Sequence, residues 1–388
     1  MTTLTNFTNS YIITNRTSPL ATSYGSITPI TSPAGGMWWY TATNPPGVSY
    51  NPEATDYAVP AGVTPTTAPP TAFTSALEAD LAIAKANGCP QITVLIHGLG
   101  NLFTYVVTEL ATLGNGFQAN PSPYAGLVIA FDWPSYDGLD GAAHYAASSY
   151  AFPAPAVAGT IRGNIACSVA AFTNLMTMLA GYAEQGFKIN FICHSEGNYM
   201  MMLGMAAQPT TGAFVNQVLL VAADINTGAL QTPASGAIGQ GLPIASLSKQ
   251  VTVYFSSGDD VLPGSEGMFP AHHNPSYPGR LGLEGPSAIA TGELPSNVVM
   301  MDCAAVINDQ VSSKLSPSQL SHSSYFYLPQ VLTDWSQTLN GVAAENVANR
   351  TGKNDLNSSA FAMSYVPSAN TMSTREAAAR ARSSGERA

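Results

Sequence analysis

Ser195 sits in the pentapeptide Cys193-His194-Ser195-Glu196-Gly197, between an apolar run, Ile189–Cys193, and a stretch of helical period, Tyr199–Ala207. A chain that leaves a strand and enters a helix with no loop between them must fold back tightly. The corner then needs small neighbours, and its central side chain stands out beside the helix N-terminus. A serine held that way can attack an acyl carbon, provided that a base accepts its proton. Of the two small positions of the usual Gly-x-Ser-x-Gly pattern, the first holds Cys193 and the second keeps Gly197.

Six histidines are candidates for the base. The order serine, acid, histidine expected of a strand–helix elbow leaves His272, His273 and His322. His322 follows the last strand-like run, Val298–Met301, in a polar loop before a final helical stretch, so it is the first choice; His272 and His273 are the alternatives. His194 adjoins the serine and should point elsewhere, and His97 is expected to brace a loop. The acid must hold the imidazole in one tautomer and stabilise its cation. Asp259 follows the run Val251–Phe255, with Val261 and Leu262 as an apolar anchor behind it. Asp260 is the second option and Asp224, after Val218–Val221, the third.

A tetrahedral intermediate needs two backbone N–H donors. One is expected from Glu196, the residue after the nucleophile. The other is expected from Leu99, flanked by Gly98 and Gly100 in the loop His97-Gly98-Leu99-Gly100-Asn101 after Ile92–Ile96. Trp133 and Tyr136, at the end of the run Leu127–Phe131, are candidates for substrate contact; core packing is the competing role for Trp133. Met200, Met201 and Met202 read as core filler.

The elements that must carry these residues follow from the apolar pattern. Short β-branched runs at 92–96, 127–131, 189–193, 218–221, 251–255 and 298–301 alternate with helical patterns, clearest at 164–185 and 199–207. Continuous apolar strands separated by helices predict an α/β fold with a mostly parallel central sheet and helices on both faces. A capping box at Ser75–Glu78 predicts a helix that opens there and stops at Gly88. The chain divides into an extended N-terminal arm (1–73), a catalytic domain (74–342) and a mostly disordered C-terminal tail (343–388). Long connections at 134–163, 225–249 and 263–296 have the length of lids.

Composition narrows the partners. The chain has 388 residues, of which 45% are hydrophobic and only 9% charged, with a net charge of -10. A body this acidic is a poor ligand for nucleic acid, and no apolar run reaches transmembrane length. The N-terminus lacks the basic start and apolar core of a secretory signal, which points to the cytoplasm. Four cysteines without metal-ligand spacing read as free buried thiols, and no cofactor or metal is expected.

Together these motifs resemble the α/β-hydrolase superfamily, and more narrowly a bacterial family of α/β hydrolases of unknown function. The resemblance rests on His97-Gly98, Phe131-Asp132-Trp133-Pro134-Ser135, His194-Ser195-Glu196-Gly197-Asn198, Tyr254 to Asp259, Arg280-Leu281-Gly282 and His322-Ser323, in that order, over about 75–342. It implies the α/β-hydrolase fold and a triad of Ser195, His322 and an acid. It implies no substrate. Scarce basic residues and an aromatic entrance point to uncharged, moderately apolar acyl or aryl esters, polyesters included, cleaved through an acyl-enzyme. An acyltransferase or amidase using the same triad is the alternative, as is a silent binding protein on the same fold. Oligomeric state is not legible.

Overall fold

Six of the strands owe their existence to runs that are apolar save for Thr93, Asn190 and Thr252, which only a sheet covered on both faces can bury. The structure, a computed structural model, describes residues 4–17, 29–50, 52–57, 63–135, 161–208, 213–232, 239–268, 279–286, 293–307, 321–352 and 360–363. Within them run β1 (Asn9–Thr14), β2 (Trp38–Thr43), β3 (Gln91–Ile96), β4 (Leu127–Asp132), β5 (Lys188–His194), β6 (Val215–Val221), β7 (Ser248–Phe255), β8 (Val298–Asp302), β9 (Arg350–Gly352) and β10 (Ala360–Met363). The longer helices are α1 (Thr71–Ala86), α2 (Phe103–Ala119), α3 (Ile161–Glu184), α4 (Gly197–Ala206) and α5 (Pro329–Leu339).

All ten strands form one sheet in the order β2-β1-β4-β3-β5-β6-β7-β8-β10-β9. The two outer pairs, β1 with β2 and β9 with β10, are antiparallel, and the strands between them are parallel. Every residue of β3, β4 and β6 is buried. This is the α/β-hydrolase fold that the motifs implied. β3 lies between β4 and β5, so the chain steps from β3 to one side and then returns to the other. Right-handed crossovers therefore set α2 and α3 on opposite faces. Side-chain contacts agree. The Asn120 amide that follows α2 donates to Thr333 of α5 at 2.9 Å, whereas Gln208, just after α4, donates to Thr173 of α3 at 3.3 Å.

Several boundaries differ from the sequence reading. α1 begins at Thr71, a turn before the capping box. The extra turn buries Phe73, whose ring packs edge-on against Tyr11 and Trp39. That tertiary contact outweighs the local capping preference at Ser75. The segments read as arm and tail supply the strands at both edges of the sheet. Much of the three long connections lies outside the described residues, as does Tyr136.

Candidate active site

The elbow is built where β5 ends at His194 and α4 begins at Gly197. Ser195 has φ +53°, a left-handed conformation that costs a residue with a Cβ about 1–2 kcal/mol. Neighbouring backbone holds it there. The Ser195 amide donates to the Val221 carbonyl at 3.0 Å, and the Asp224 amide donates to the Ser195 carbonyl at 3.2 Å. The buried Asn198 amide reaches the carbonyls of Cys193, Ser195 and Val221. Both glycines of the motifs are required by close approach. A Cβ on Gly98 would lie 2.7 Å from the Ser195 Cβ, and one on Gly197 would lie 2.5 Å from the His97 carbonyl oxygen. The His97–Asn101 loop and the elbow thus nest against one another.

His322 Nδ1 lies 2.7 Å from Asp259 Oδ2. The other carboxylate oxygen, Oδ1, accepts the amides of Val261 at 2.9 Å and Leu262 at 3.0 Å. Burial alone would raise the Asp259 pKa; His322 and these two amides outweigh it, so the carboxyl sits below its ordinary range. An ionised Asp259 in this position fixes the tautomer that leaves His322 Nε2 as an acceptor. His322 and Ser195 line one cavity of about 470 Å³. Among the described residues the two make no direct hydrogen bond. Such contacts commonly tighten only when substrate is bound.

The other candidate acids lie elsewhere. Asp260 is exposed and bonds to Ser321 through both its amide and its side chain. Asp224 accepts from Ser265 at 2.7 Å and pairs with Arg280 at 2.6 Å. The Arg280-Leu281-Gly282 element thereby ties the ends of β6 and β7, since the Gly282 amide donates to Ala223 and the Gly282 carbonyl accepts from Ser256. His272 and His273 lie outside the described residues.

Leu99 lines the cavity beside Ser195. Glu196 is fully buried and stands at the N-cap position of α4. Behind Leu99 the loop rests on a buried ionic frame. Arg16, from the segment after β1, forks onto both oxygens of Asp132 at 2.6–2.8 Å and donates to the Asn101 carbonyl at 2.6 Å. His97 Nε2 lies 2.9 Å from the same carboxylate. Burial pushes the Asp132 pKa up, but Arg16 and His97 bring it below the ordinary range. The indole of Trp133 stacks on His97, with ring centroids 5.5 Å apart, and donates to the His97 carbonyl at 2.8 Å. Trp133 is fully buried, so it supports the loop rather than forming a substrate wall. An indole donor next to a buried carbonyl is worth more to the fold as a strut than as a rim residue.

Sequence reasoning passed over four residues of this region. His194 was expected to point away. Its Nε2 lies 3.0 Å from the His322 carbonyl, and its ring packs against the His322 ring at 4.8 Å. Burial, then the neighbouring His322, lowers its pKa to about 3, so it stays neutral. The position next to the elbow, in a buried strand, was the available signal. Arg16 carried no signal beyond being a rare charge in an apolar setting, and Asp132 stands in the Phe131–Ser135 motif without any sign there of its partner. Glu109, on α2, lines the cavity and accepts from the Asn101 side chain at 3.0 Å; its helical spacing from Tyr105 was the only trace of it.

Among the described residues no group of three or more His, Cys, Asp or Glu is placed to hold a metal. All four cysteines are free. No helix among these residues is long and apolar enough to cross a membrane.

Residues 71–271 match the family model described as "Alpha/beta hydrolase of unknown function (DUF900)". No curated protein matches the sequence. Among solved structures the chain is similar to an esterase of Pyrobaculum calidifontis, at 14% identity and a TM-score of 0.32, over 66% of this chain and 77% of that one.

Proposed function

The chain belongs to a family of α/β hydrolases of unknown function, and on that premise we propose that it is a serine hydrolase of carboxylic esters. Ser195 attacks the acyl carbon. His322 takes the proton from the serine hydroxyl and returns it to the leaving alcohol. Asp259 orients the imidazole and stabilises its cation. The backbone amides of Leu99 and Glu196 receive the oxyanion. Water, activated by the same imidazole, then cleaves the acyl-enzyme.

One observation carries this reading. An imidazole paired at 2.7 Å with a buried carboxylate opens onto the same cavity as a serine at φ +53°. A structural histidine does not require a strained serine as its neighbour, and strain of this kind clusters where chemistry needs a group held out from the chain.

The test is a chain-length panel of p-nitrophenyl esters, with Ser195→Ala as control and fluorophosphonate labelling beside it. Wild-type protein is expected to turn over at least the short esters and to label stoichiometrically. Ser195→Ala is expected to lose labelling entirely and to lose turnover by about 10⁵–10⁶-fold, as when a triad nucleophile is removed, with its thermal midpoint nearly unchanged. Turnover near wild type in that variant would mean that the nucleophile is elsewhere.

A further inference from the structure

On the reading that Ser195 attacks esters, we propose that this site selects esters bearing an ammonium group, held by the Glu109 carboxylate and the rings of Tyr105 and Tyr327. Tyr105 and Glu109 are four residues apart on α2 and so share one face of the helix. Tyr327 lies one residue beyond the short turn Ser324–Phe326 that follows His322. All three line the cavity that holds Ser195 and His322. Tyr105 is 51% exposed and Tyr327 38%, unusually open for rings of that size in this chain. Burial raises the Tyr327 phenol pKa, and the Glu109 charge raises it further, which puts the two groups within electrostatic reach.

The charge balance of the cavity favours a cation. Among the described residues no Lys or Arg lines it. Among the described residues Glu109 is bonded only to the neutral side-chain amide of Asn101. Arg16, on the far side of the Asn101 carbonyl, is engaged by Asp132. His194 is held neutral. Burial pushes the Glu109 carboxyl up to about 7 against the opposing hydrogen bond from Asn101, so this is not a freely solvated surface glutamate. A half-buried carboxylate with no counter-charge among the described residues is half of an ion pair. Two aromatic rings line the same cavity, and aromatic rings are the partners that bind quaternary and primary ammonium groups. An anionic substrate would meet only repulsion. On this proposal cationic esters rank above the uncharged ones expected from composition.

Acetylcholine and 3,3-dimethylbutyl acetate have nearly the same shape and differ in a quaternary nitrogen against a quaternary carbon. Their kcat/KM values are compared by acid release at pH 8.5, where Glu109 is ionised. Wild type is expected to prefer the cationic ester on the order of tenfold or more. Glu109→Gln, which can still bond to Asn101, is expected to bring the ratio down to about three or less. Tyr105→Leu, at the exposed rim, is expected to lower the ratio severalfold, and it stands in if the glutamine variant does not fold. A wild-type ratio of one or less, or a ratio untouched by both substitutions, overturns the proposal. Turnover of the neutral ester, and its loss in Ser195→Ala, judges the ester reading separately. If neither ester is turned over, saturation-transfer NMR with tetramethylammonium still decides the cation site. Binding that Glu109→Gln weakens about tenfold supports it, and no binding sinks it.

Discussion

Asp259 and Asp260 are chemically identical neighbours, yet only the first meets His322. The difference lies in what each side chain accepts. Asp259 is turned inward because the amides of Val261 and Leu262 both donate to its Oδ1, which leaves Oδ2 aimed at the imidazole. Asp260 points to solvent and is satisfied by Ser321. Three substitutions separate the possible roles. Asp259→Asn is expected to lower kcat by about 10³–10⁴-fold while leaving ester binding nearly intact. Asp260→Asn is expected to stay within a few-fold of wild type. Asp224→Asn is expected to act on stability, by about 3–5 kcal/mol in urea denaturation, because it removes the charge that pairs with the buried Arg280 guanidinium at 2.6 Å. Loss of kcat in Asp260→Asn with full activity in Asp259→Asn would reverse the assignment.

The loop His97–Asn101 is short, and Gly98 in it and Gly197 in the elbow give up side chains to let the two approach. Its rigidity must come from outside, and the ionic frame of Arg16, Asp132 and His97 supplies it. The family match begins at residue 71, so Arg16 reaches the loop from beyond the matched segment. Arg16→Met is expected to destabilise the protein by about 3–5 kcal/mol, the cost of leaving a buried carboxylate half-paired. It is also expected to lower kcat by about tenfold with little change in KM, because the loop loses the bond to the Asn101 carbonyl. Arg16→Lys should recover part of the stability and little of kcat, since an ammonium cannot fork onto two oxygens while also reaching a carbonyl. Wild-type kcat in the methionine variant would dissociate the frame from the site. At this scale β3 to β8 were legible because their burial on both faces is written as short, mostly apolar runs. The start of α1 was not, because it depends on aromatic partners 34 to 62 residues away in the chain, Tyr11 and Trp39.

Across the whole molecule, acid stability should fall in two stages. His194 has a folded pKa of about 3 against an ordinary value of 6.5. Between those values the unfolded chain takes up a proton that the folded one refuses, so stability present above about pH 6.5 drains away as pH falls toward 3. The Asp259 and Asp132 pKa values lie below 3.8 when folded. Their contribution is complete above that value and is lost only as pH falls through their folded pKa values. Glu109, raised to about 7 against an ordinary 4.5, acts the other way between those values, so the His194 loss is read against His194→Gln, which has no proton to refuse. The stability that wild type loses relative to that variant, from urea midpoints at pH 7, 5 and 4, is expected to reach a few kcal/mol; an equal change in the two would mean that another group controls it. The edges of the sheet matter to the same balance. Arg350, from the segment read as tail, is buried on Asp334 at 2.6 Å, and Asp334 also accepts from Tyr254 of β7.

Taken alone, the sequence determined the parallel core, the strand–helix corner at Ser195 and the order of serine, acid and histidine. Each is a local pattern: apolar continuity, small residues at a tight turn, motifs in succession. Only the tertiary structure decided that Asp259 rather than Asp260 meets His322, that Trp133 braces a loop, and that Arg16 and Glu109 belong to the site at all. Those outcomes depend on the direction of a side chain and on which distant segment lies opposite it. Direction is set by hydrogen bonds and packing across the sheet, and no spacing along the chain encodes them.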